Sequence, residues 1–337
     1  MDLTLSSEQD QLVDAFVALY ARLSTPERVR GAEPLGFDPE LWRAMMETGV
    51  IQMAVNEAHG GWGATELDLG LIAEQHGRAI AAAPLIETQV AARLLAECGQ
   101  LGAVPLAAAL AGDQMVTFAP RPARGQRIEL VPAGAVAHSV VALVDDALMV
   151  VPIGNGLRQI ENLASMPVAD VPVDDRAVVL ARGPAAYVLH SVALDRWLAL
   201  TGLALVGIAA RAVEMGAEYA KQRHAFGAPI GTFQAVSHPL ADSATAVDGA
   251  RLLGLKAACA FAEEPVRASE LAAMAFVFAY ETARDATHHS LHVHGGYGFG
   301  MEQDIQLYYR RARGWAMVYG EPSVVLDRVA EMRYGAI

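Results

Sequence analysis

The spacing of apolar residues divides the chain into three parts. Up to about residue 110, apolar positions recur with the period of an α-helix, as in EQDQLVDAFVALYARL, where Ser6 or Ser7 can act as the N-cap. Residues 49–63, GVIQMAVNEAHGGWG, are predicted to be an irregular apolar stretch that ends in glycines. Further helices are predicted over residues 39–46, 66–80 and 86–97.

From Met115 the pattern changes to short pieces rich in β-branched residues, such as MVTFAP, RIELVP and SVVALVD, separated by Pro, Gly and Asp. They predict a small group of strands that ends near Leu180. The helical period then returns, with helices predicted over 186–222, 232–263, 268–293, 302–313 and 322–333. The order predicts a mostly helical α+β fold with an N-terminal helical domain (1–112), a reduced middle β domain (113–183) and a C-terminal helical bundle (184–337).

The composition changes this picture in two ways. Of the 337 residues, 53% are hydrophobic and 19% are charged, and the mean hydropathy is +0.27. Because charged residues or glycines interrupt each apolar stretch, no membrane-spanning segment is predicted; the excess hydrophobicity indicates broad helix packing or, more sharply, a buried subunit interface. The formal net charge of −13 argues against a nucleic-acid partner, since phosphate binding favours a basic surface.

The cysteines and the N-terminal pattern bear on the compartment. Cys98 and Cys259 lie in Ala- and Leu-rich helical stretches without any motif, so they are predicted to be buried free thiols. The first residues, MDLTLSSEQDQLVDAF, lack the basic-then-apolar order of a signal peptide. A cytoplasmic location is therefore expected.

The segment RHAFGAPIGTFQAVSHPLAD, residues 223–242, connects two predicted helices. Arg223 is expected in the last turn of the first helix, Phe226 and Gly227 are expected to end it, and Thr232 is expected to cap the second helix, with Gln234 in its first turn. Free backbone N–H groups at a helix N-terminus, with an arginine nearby, make a natural anion site. A capped helix–turn–helix without any ligand is the alternative.

A proline complicates the second helix of this segment. Pro239 falls inside the predicted second helix. It is expected to kink that helix or to make Ser237 a second helix start.

A second segment, HVHGGYGFGMEQDIQLYYRRAR, covers residues 292–313. Gly295 and Gly296 are expected to end a long helix and to let another molecule approach the backbone closely. His288 and His292 share a helix face at i, i+4, a spacing compatible with zinc, but the glutamate of an H-E-x-x-H motif is missing. Packing, or polar contacts to an anion, is the favoured interpretation, and no metal is predicted.

Together these segments resemble the acyl-CoA dehydrogenase family. Residues 219–242 and 292–313 are similar to its C-terminal domain, residues 49–80 are similar to its N-terminal helical domain, and the helix–strand–helix order matches over nearly the whole chain. The resemblance implies FAD shared between two subunits, with the neighbour's C-terminal domain holding the pyrophosphate and adenosine.

Carried over to this sequence, the resemblance assigns cofactor contacts to residues of both segments. Arg223 would pair with the pyrophosphate, Phe226 and Gly227 would shape the turn, and Gln234 would hydrogen-bond the cofactor. The backbone of Gly295 and Gly296 would lie against the ADP part. His292 replaces the family's usual glutamine, and an imidazole can still donate to phosphate or ribose.

The middle part departs from the family. Active members usually carry a Thr-Glu-Pro and then a Gly-Ser-Asp loop that touches flavin and substrate, whereas residues 116–130 read VTFAPRPARGQRIEL. Thr117 and Pro120 are in place, but the acid and the Gly-Ser-Asp are not. A β domain shortened in this way is not expected to cover its own isoalloxazine ring.

The catalytic carboxylate is the other departure. The residue aligned with the family's usual glutamate is Tyr319, whose phenol is a poor base because its ordinary pKa is near 10. Glu321 is close in sequence, and Asp195 lies where some members place the base on an earlier helix. Both are weak catalytic candidates, so no catalytic residue is assigned.

The pattern therefore predicts the small subunit of a heteromeric (α2β2) acyl-CoA dehydrogenase of the steroid type. The chain would complete the FAD site of a full-length partner that supplies the catalytic glutamate. The complex would form a 2,3-enoyl-CoA from a bulky acyl-CoA and pass electrons to an electron-transfer flavoprotein. A self-sufficient homo-oligomer using Glu321 or Asp195, and a purely structural subunit, remain as alternatives.

Overall fold

The computed structural model describes residues 4–154 and 156–335. Its first part is helical, as the apolar spacing predicts. The bounds of its helices are α1 Ser7–Leu23, α2 Pro26–Ala32, α3 Pro39–Glu47, α4 Val50–Ala54, α5 Glu66–Arg78, α6 Leu85–Glu97 and α7 Ala103–Ala111, with 3-10 turns at Glu57–His59 and Gly99–Leu101.

Of the two N-cap candidates for α1, the structure uses Ser6. Its hydroxyl accepts from the backbone N–H of Gln9 (3.3 Å), and the Gln9 side chain accepts from the backbone N–H of Ser6 (3.0 Å). This reciprocal capping box satisfies two N–H groups that the helix itself cannot bond.

Two short helices differ from the prediction. Helix α2 begins at Pro26 and was not predicted, and the stretch 49–63 is not wholly irregular, because it contains α4 and a 3-10 turn. Seven and five residues are too short for a 3.6-residue period to be visible in the sequence.

The strands of the middle part lie between Val116 and Arg182. They are β1 Val116–Phe118, β2 Arg127–Val131, β3 Ser139–Val144, β4 Ala147–Pro152, β5 Ala169–Pro172 and β6 Val178–Arg182. Four of them form a sheet in the order β1-β3-β4-β6, in which β1 runs parallel to β3 and the other pairs are antiparallel, and β2 pairs with β5. A core that includes Ile128, Val140 and Val171 is buried in this part.

The C-terminal part is helical again and ends close to the predicted positions. Its helices are α8 Pro184–Gln222, α9 Gln234–Glu263, α10 Pro265–His294, α11 Ile305–Gly314 and α12 Pro322–Tyr334, with strands β7 His224–Ala225 and β8 Ala228–Pro229 and 3-10 turns at Ile230–Thr232, Gly295–Phe299 and Ala316–Val318. The predicted mostly helical α+β fold is confirmed.

The chain forms two compact units. The helical unit comprises Met1–Pro26, Gly70–Ala81 and Ala199–Ile337, and the strand-containing unit comprises Glu27–Leu69 and Ala82–Leu198. The division of the chain into three sequence domains, with bounds at 112 and 183, stays a prediction.

In the helical unit, α8 and α10 run parallel and α9 runs antiparallel to both. Gly202 faces Phe276 and Gly216 faces Ser290, so both helices advance in the same direction. Gly216 also faces Leu240 at the start of α9. The end of α8, the start of α9 and the end of α10 therefore lie at one end of this bundle, called here the bundle end.

Helices α5 and α8 cross at glycines. A β-carbon on Gly77 would lie 1.8 Å from the carbonyl oxygen of Ala204, and one on Gly207 would lie 1.9 Å from the carbonyl oxygen of Glu74. Near this crossing Arg78 binds Glu214 (2.6 Å) and Arg251 binds Glu74 (2.8 Å). The two backbones touch because neither glycine carries a side chain.

The expectation that no segment has the length and apolarity of a membrane span was wrong for one helix. An 18-residue window of α8 has a mean hydropathy of 1.6, long and apolar enough to cross a bilayer, and 72% of that window is buried in the structure. Core helices of soluble proteins pass the same test. At most two Asp, Glu, Lys or Arg residues fall inside this window, too few to interrupt its apolar character.

Candidate cofactor-binding site

The bundle end brings the two sequence segments together. The ring of Tyr219, in the last turn of α8, stacks on the ring of His294, the last residue of α10, with centroids 4.3 Å apart. Arg223 follows Tyr219 by one helical turn, and Gly295 follows His294 directly. Tyr219 was not among the predicted site residues; its position four residues before Arg223, on the same helix face, is the signal that would have found it.

Arg223 lies just outside α8, not in its last turn. Its backbone N–H donates to the carbonyl of Tyr219 (2.8 Å), and its carbonyl accepts from the N–H of Ile230 (2.8 Å). The two short strands β7 and β8 then pair as a hairpin. The guanidinium is exposed, so it is available to an anion at the bundle end.

Phe226 and Gly227 form the turn of this hairpin, which corrects the expectation that they end the helix. Both have positive φ, 54° and 82°, the geometry of a two-residue type I′ turn. Phenylalanine is strained in this backbone region, yet its side chain is 98% exposed, and its ring meets that of Phe233 edge to face (centroids 6.1 Å apart). A bulky residue held there without burial points to a contact outside this chain.

Thr232 does not cap α9. Its hydroxyl donates to the carbonyl of Pro229 (2.7 Å), while Phe233 occupies the N-cap position without a side-chain cap. Gln234 is the first residue of α9 and is exposed, as predicted for the first turn. Because the Thr232 hydroxyl donates to the nearby carbonyl of Pro229, it does not cap the first N–H groups of α9.

Helix α9 continues through Pro239 as a single helix, so Ser237 is not a second start. Proline near a helix start is tolerated better than in the middle, because few turns precede it. The Ser243 hydroxyl also donates to the carbonyl of Pro239 (2.8 Å).

Gly295 and Gly296 leave the end of α10 open. Gly295 has φ 64°, and a β-carbon on either glycine would meet no atom within 4 Å. The exposed side chain of His292 lies one turn earlier. Backbone without side chains, beside an exposed imidazole, fits the close approach of a nucleotide, as the resemblance implies.

The histidines of α10 have different environments. His294 is buried and bonds through Nδ1 to the carbonyl of Ser290 (2.8 Å), and His289 bonds to the Ser243 hydroxyl (2.9 Å). His288 and His292 are exposed, with ring centroids 6.4 Å apart. Within residues 4–154 and 156–335, no group of three or more His, Cys, Asp or Glu side chains is placed to hold a metal ion.

In the strand-containing unit, the segment after β1 is folded against the sheet. The Thr117 hydroxyl is fully buried and donates to the carbonyl of Pro132 (2.7 Å). The backbone N–H groups of Ala119 and Ala123 donate to β3 at Val141 and Leu143 (3.0 and 2.8 Å). The hydroxyl of Thr117, the threonine that matches the family's flavin-contacting loop, therefore already has its hydrogen-bond acceptor inside this unit.

His190 of α8 covers the same segment. Its Nε2 bonds to the carbonyl of Ala119 (3.1 Å), and its ring packs on that of Phe118 with centroids 5.3 Å apart. His190 is only 4% exposed. His190 thus covers the backbone that directly follows β1.

The two weak catalytic candidates have opposite environments. Asp195 lies in α8 and is 2% exposed. Glu321 is exposed at the N-cap of α12, where its side chain makes no capping hydrogen bond.

Comparison with known proteins identifies the class. Residues 6–101 match the model of the acyl-CoA dehydrogenase N-terminal domain, and residues 187–332 match that of the C-terminal domain. The chain is 30% identical to acyl-CoA dehydrogenase IpdE2 of Mycolicibacterium smegmatis, over 96% of this chain and 98% of that protein. The chain thus belongs to the acyl-CoA dehydrogenase family.

Two solved structures are similar over nearly the whole chain. A chain of the ChsE4-ChsE5 complex from Mycobacterium tuberculosis has a TM-score of 0.89 and 27% identity, and the match covers 100% of both chains. A chain of the Tcur3481-Tcur3483 steroid acyl-CoA dehydrogenase, a G363A variant, has a TM-score of 0.86 and 27% identity, with 98% of each chain covered. Both are complexes of two named components.

Proposed function

We propose that this chain is the small subunit of a heteromeric, FAD-dependent acyl-CoA dehydrogenase and that it completes the flavin site of a full-length partner. One observation carries the proposal. The predicted cofactor contacts are exposed together at the bundle end, whereas the segment after β1, which would hold this chain's own flavin ring, is hydrogen-bonded within the chain. Similar chains in two-component complexes support it.

The residues at the bundle end fit the ADP half of FAD. Arg223 offers an exposed guanidinium for the pyrophosphate, and Gln234 offers a side-chain amide at a helix N-terminus. Gly295 and Gly296 present bare backbone to open space. When bound, FAD supplies the hydride acceptor for oxidation of the acyl-CoA to a 2,3-enoyl-CoA.

This chain's own part in the reaction is binding and orientation. Arg223 neutralises phosphate charge, and the hairpin carrying Phe226 fixes the position of Arg223 relative to the start of α9. No residue of this chain is assigned to the proton abstraction: Tyr319 is not a carboxylate, Asp195 is buried and Glu321 is exposed at a helix N-cap. The partner supplies the catalytic glutamate.

The substrate class rests on the relatives. One similar structure carries the word steroid in its description. We propose a bulky acyl-CoA of the steroid side-chain type, with electrons passing to an electron-transfer flavoprotein. If the assembled complex turned over only short linear acyl-CoAs, this part of the proposal would be contradicted. The proposed shared flavin site would not be affected by that result.

The first experiment measures the flavin content of the chain purified alone, from its visible absorbance, together with its native mass. Well below one FAD per polypeptide is expected. One tightly held FAD per chain in a homotetramer would instead establish a self-sufficient enzyme and direct mutagenesis to Glu321.

The second experiment removes the guanidinium. Arg223→Ala is expected to weaken the flavin affinity of the complex isolated with its natural partner at least tenfold, because a charge-assisted contact to phosphate contributes about 1.5–3 kcal/mol. Lys221→Ala, at the exposed end of the same helix, is the matched control and is expected to change occupancy little. Unchanged flavin in Arg223→Ala would mean that the chain is a structural subunit.

A further inference from the structure

A cavity of about 590 Å³ lies in the strand-containing unit. Helix α3, the end of α7 with the segment that follows it, and the loop before β3 form its walls. Its volume is that of a typical small-molecule site. Among the described residues that line it, none is a predicted flavin contact. The proposed function therefore leaves this cavity unexplained.

One wall of the cavity is apolar. Phe37 and Trp42 pack against a buried cluster that includes Met115, and Met46 follows Trp42 by one turn of α3. Phe37, Trp42 and Met46 are only half-buried, so part of their apolar surface is left uncovered. Aromatic rings and thioethers pack favourably on another aromatic ring. This wall therefore suits an aromatic group.

The cavity is preformed, because α3 is fixed at its start. Asp38 caps this helix by accepting from two of its first backbone N–H groups (3.0 and 3.2 Å), and Arg28 binds the same carboxylate (2.8 Å). Gln52 of α4 is joined to α7, since its side-chain amide donates to the carbonyl of Leu110 (2.7 Å). A ligand therefore does not have to order these walls when it binds.

Two opposite charges accompany the apolar wall. Arg43 and Glu47 both line the cavity, lie one turn apart on α3 and are exposed. Within the described residues neither side chain makes an ion pair or a hydrogen bond. An arginine that precedes a glutamate by four residues is the less favourable order for a pair within a helix. Both charges are therefore available to a ligand.

His138 adds a hydrogen-bond donor that is held in place. Its Nδ1 accepts from the backbone N–H of Met115 (3.0 Å), and its own backbone N–H donates to the carbonyl of Met115 (2.8 Å). Because Nδ1 is the acceptor, the hydrogen of the neutral ring is on Nε2. The side chain is exposed and lines the cavity. A carboxylate in the cavity can accept from this N–H.

We propose that this cavity binds a free α-amino acid with an aromatic side chain. Its ring packs on Trp42 and Met115. Its carboxylate is bound by Arg43 and His138, and its ammonium group is bound by Glu47. Both charges are needed, because an aromatic acid would leave Glu47 unpaired and an aromatic amine would leave Arg43 unpaired. The inference is independent of the proposed function, since no flavin contact takes part in it.

Isothermal titration calorimetry of the purified full chain tests this assignment, with L-phenylalanine and L-tryptophan as probes. Both amino acids should bind saturably. The analogue 3-phenylpropionate lacks the ammonium group, and phenethylamine lacks the carboxylate. Each analogue should bind at least about threefold more weakly than L-phenylalanine, a small factor because the ion pairs are exposed. L-alanine, which lacks the ring, should not bind.

Two variants assign each charge to its partner. Arg43→Gln should weaken the binding of L-phenylalanine about threefold or more and leave that of phenethylamine unchanged. Glu47→Gln should weaken the binding of L-phenylalanine similarly and leave that of 3-phenylpropionate unchanged. Arg22→Gln, at an exposed arginine of α1, is the matched control and should change none of these affinities. All three positions are exposed, so the variants should keep the parent's melting temperature.

Three results would overturn the assignment. No saturable binding at millimolar L-phenylalanine or L-tryptophan would mean that the cavity does not take this ligand. Equal affinities for L-phenylalanine and its two singly charged analogues would mean that only apolar contact is made. An equal effect of Arg43→Gln on L-phenylalanine and phenethylamine would mean that Arg43 does not bind the carboxylate. None of these results affects the shared flavin site, which Arg223→Ala and the flavin content test separately.

Discussion

At the scale of single residues, the contrast between Thr117 and Arg223 defines this chain. Both lie where the family places flavin contacts, but the Thr117 hydroxyl is satisfied inside the fold, whereas the Arg223 guanidinium is exposed. Burying a polar group requires a partner, so Thr117 cannot turn outward without leaving the carbonyl of Pro132 unpaired. The part of the predicted flavin site around Thr117 is therefore closed by a single hydrogen bond.

The thiols give a first residue-scale prediction. Cys259 is buried as predicted, but Cys98 is only partly buried; its desolvation, together with the neighbouring charge of Glu97, raises the pKa of Cys98 to about 11. Because the thiolate is the reactive form, alkylation of Cys98 by iodoacetamide at pH 8 should be on the order of a hundredfold slower than that of free cysteine. Mass spectrometry of native and denatured protein checks this; rapid modification of the native chain would contradict the burial.

The turn residue Phe226 gives the second residue-scale prediction. Asparagine tolerates positive φ better than phenylalanine, and the 98% exposed ring contributes little packing, so Phe226→Asn should leave the melting temperature unchanged or raise it slightly. The same variant should lose flavin from the assembled complex. A lower melting temperature together with the loss of flavin would mean that the ring supports the fold of this chain.

At the scale of elements, the crossing of α5 and α8 shows why glycine is required twice. At Gly77 and Gly207 the opposing backbone lies where a β-carbon would be. Such contacts place two helices closer than side chains permit, and the ion pair of Arg78 with Glu214 lies beside them.

Substitution at this crossing should be costly. Gly77→Ala is expected to destabilise the protein by about 3 kcal/mol or more, because backbone must move to admit the methyl group. Gly31→Ala is the matched control: this glycine also lies in a helix, and a β-carbon there would meet nothing within 4 Å. It should be neutral or stabilising. Thermal unfolding, monitored by circular dichroism, distinguishes the two variants. Equal melting temperatures of Gly77→Ala and Gly31→Ala would refute the close contact.

The sequence predicted elements best where the periodic pattern was long. The apolar spacing placed α8, α9 and α10 within a few residues of their ends, because each repeats its pattern over seven or more turns. It missed α2, which has seven residues, and the β7–β8 hairpin, whose strands have two residues each. Short elements are decided by tertiary contacts that no local pattern encodes.

The candidate site was predicted as a set of residues but not as a geometry. Arg223 and Gln234 were expected near helix ends, yet the Thr232 cap was wrong because a carbonyl within the same turn takes its hydroxyl. The stack of Tyr219 on His294 joins segments some seventy positions apart. Nothing in either segment alone encodes that contact, which depends on α8 and α10 running parallel.

At the scale of the whole molecule, the bundle end has more exposed apolar surface than a free-standing protein needs. Besides Phe226, the side chains of Tyr297, Phe299 and Met301 are 70%, 63% and 63% exposed on the segment that follows α10. Exposed aromatic patches of this kind mark interaction surfaces. They agree with a chain that is completed by a partner.

This surface should govern the solution behaviour of the isolated chain. Tyr297→Ser combined with Met301→Ser is expected to reduce its self-association severalfold, measured by light scattering, with little change in melting temperature. Val266→Ser is the control, because Val266 is 97% exposed at the other end of α10. An equal effect of the control would show that general hydrophobicity, not the bundle end, drives the association.

The exposed ring of Phe226 also has a consequence for gene expression. A subunit that presents such a hairpin is safe only while a partner covers it, since uncovered copies are substrates for aggregation and proteolysis. Under the proposed function, cells that make this chain therefore gain from synthesising it in fixed proportion to its partner. The same proposal predicts that overproduction of this chain alone shortens its lifetime, so that a two-residue turn would constrain the stoichiometry of two genes.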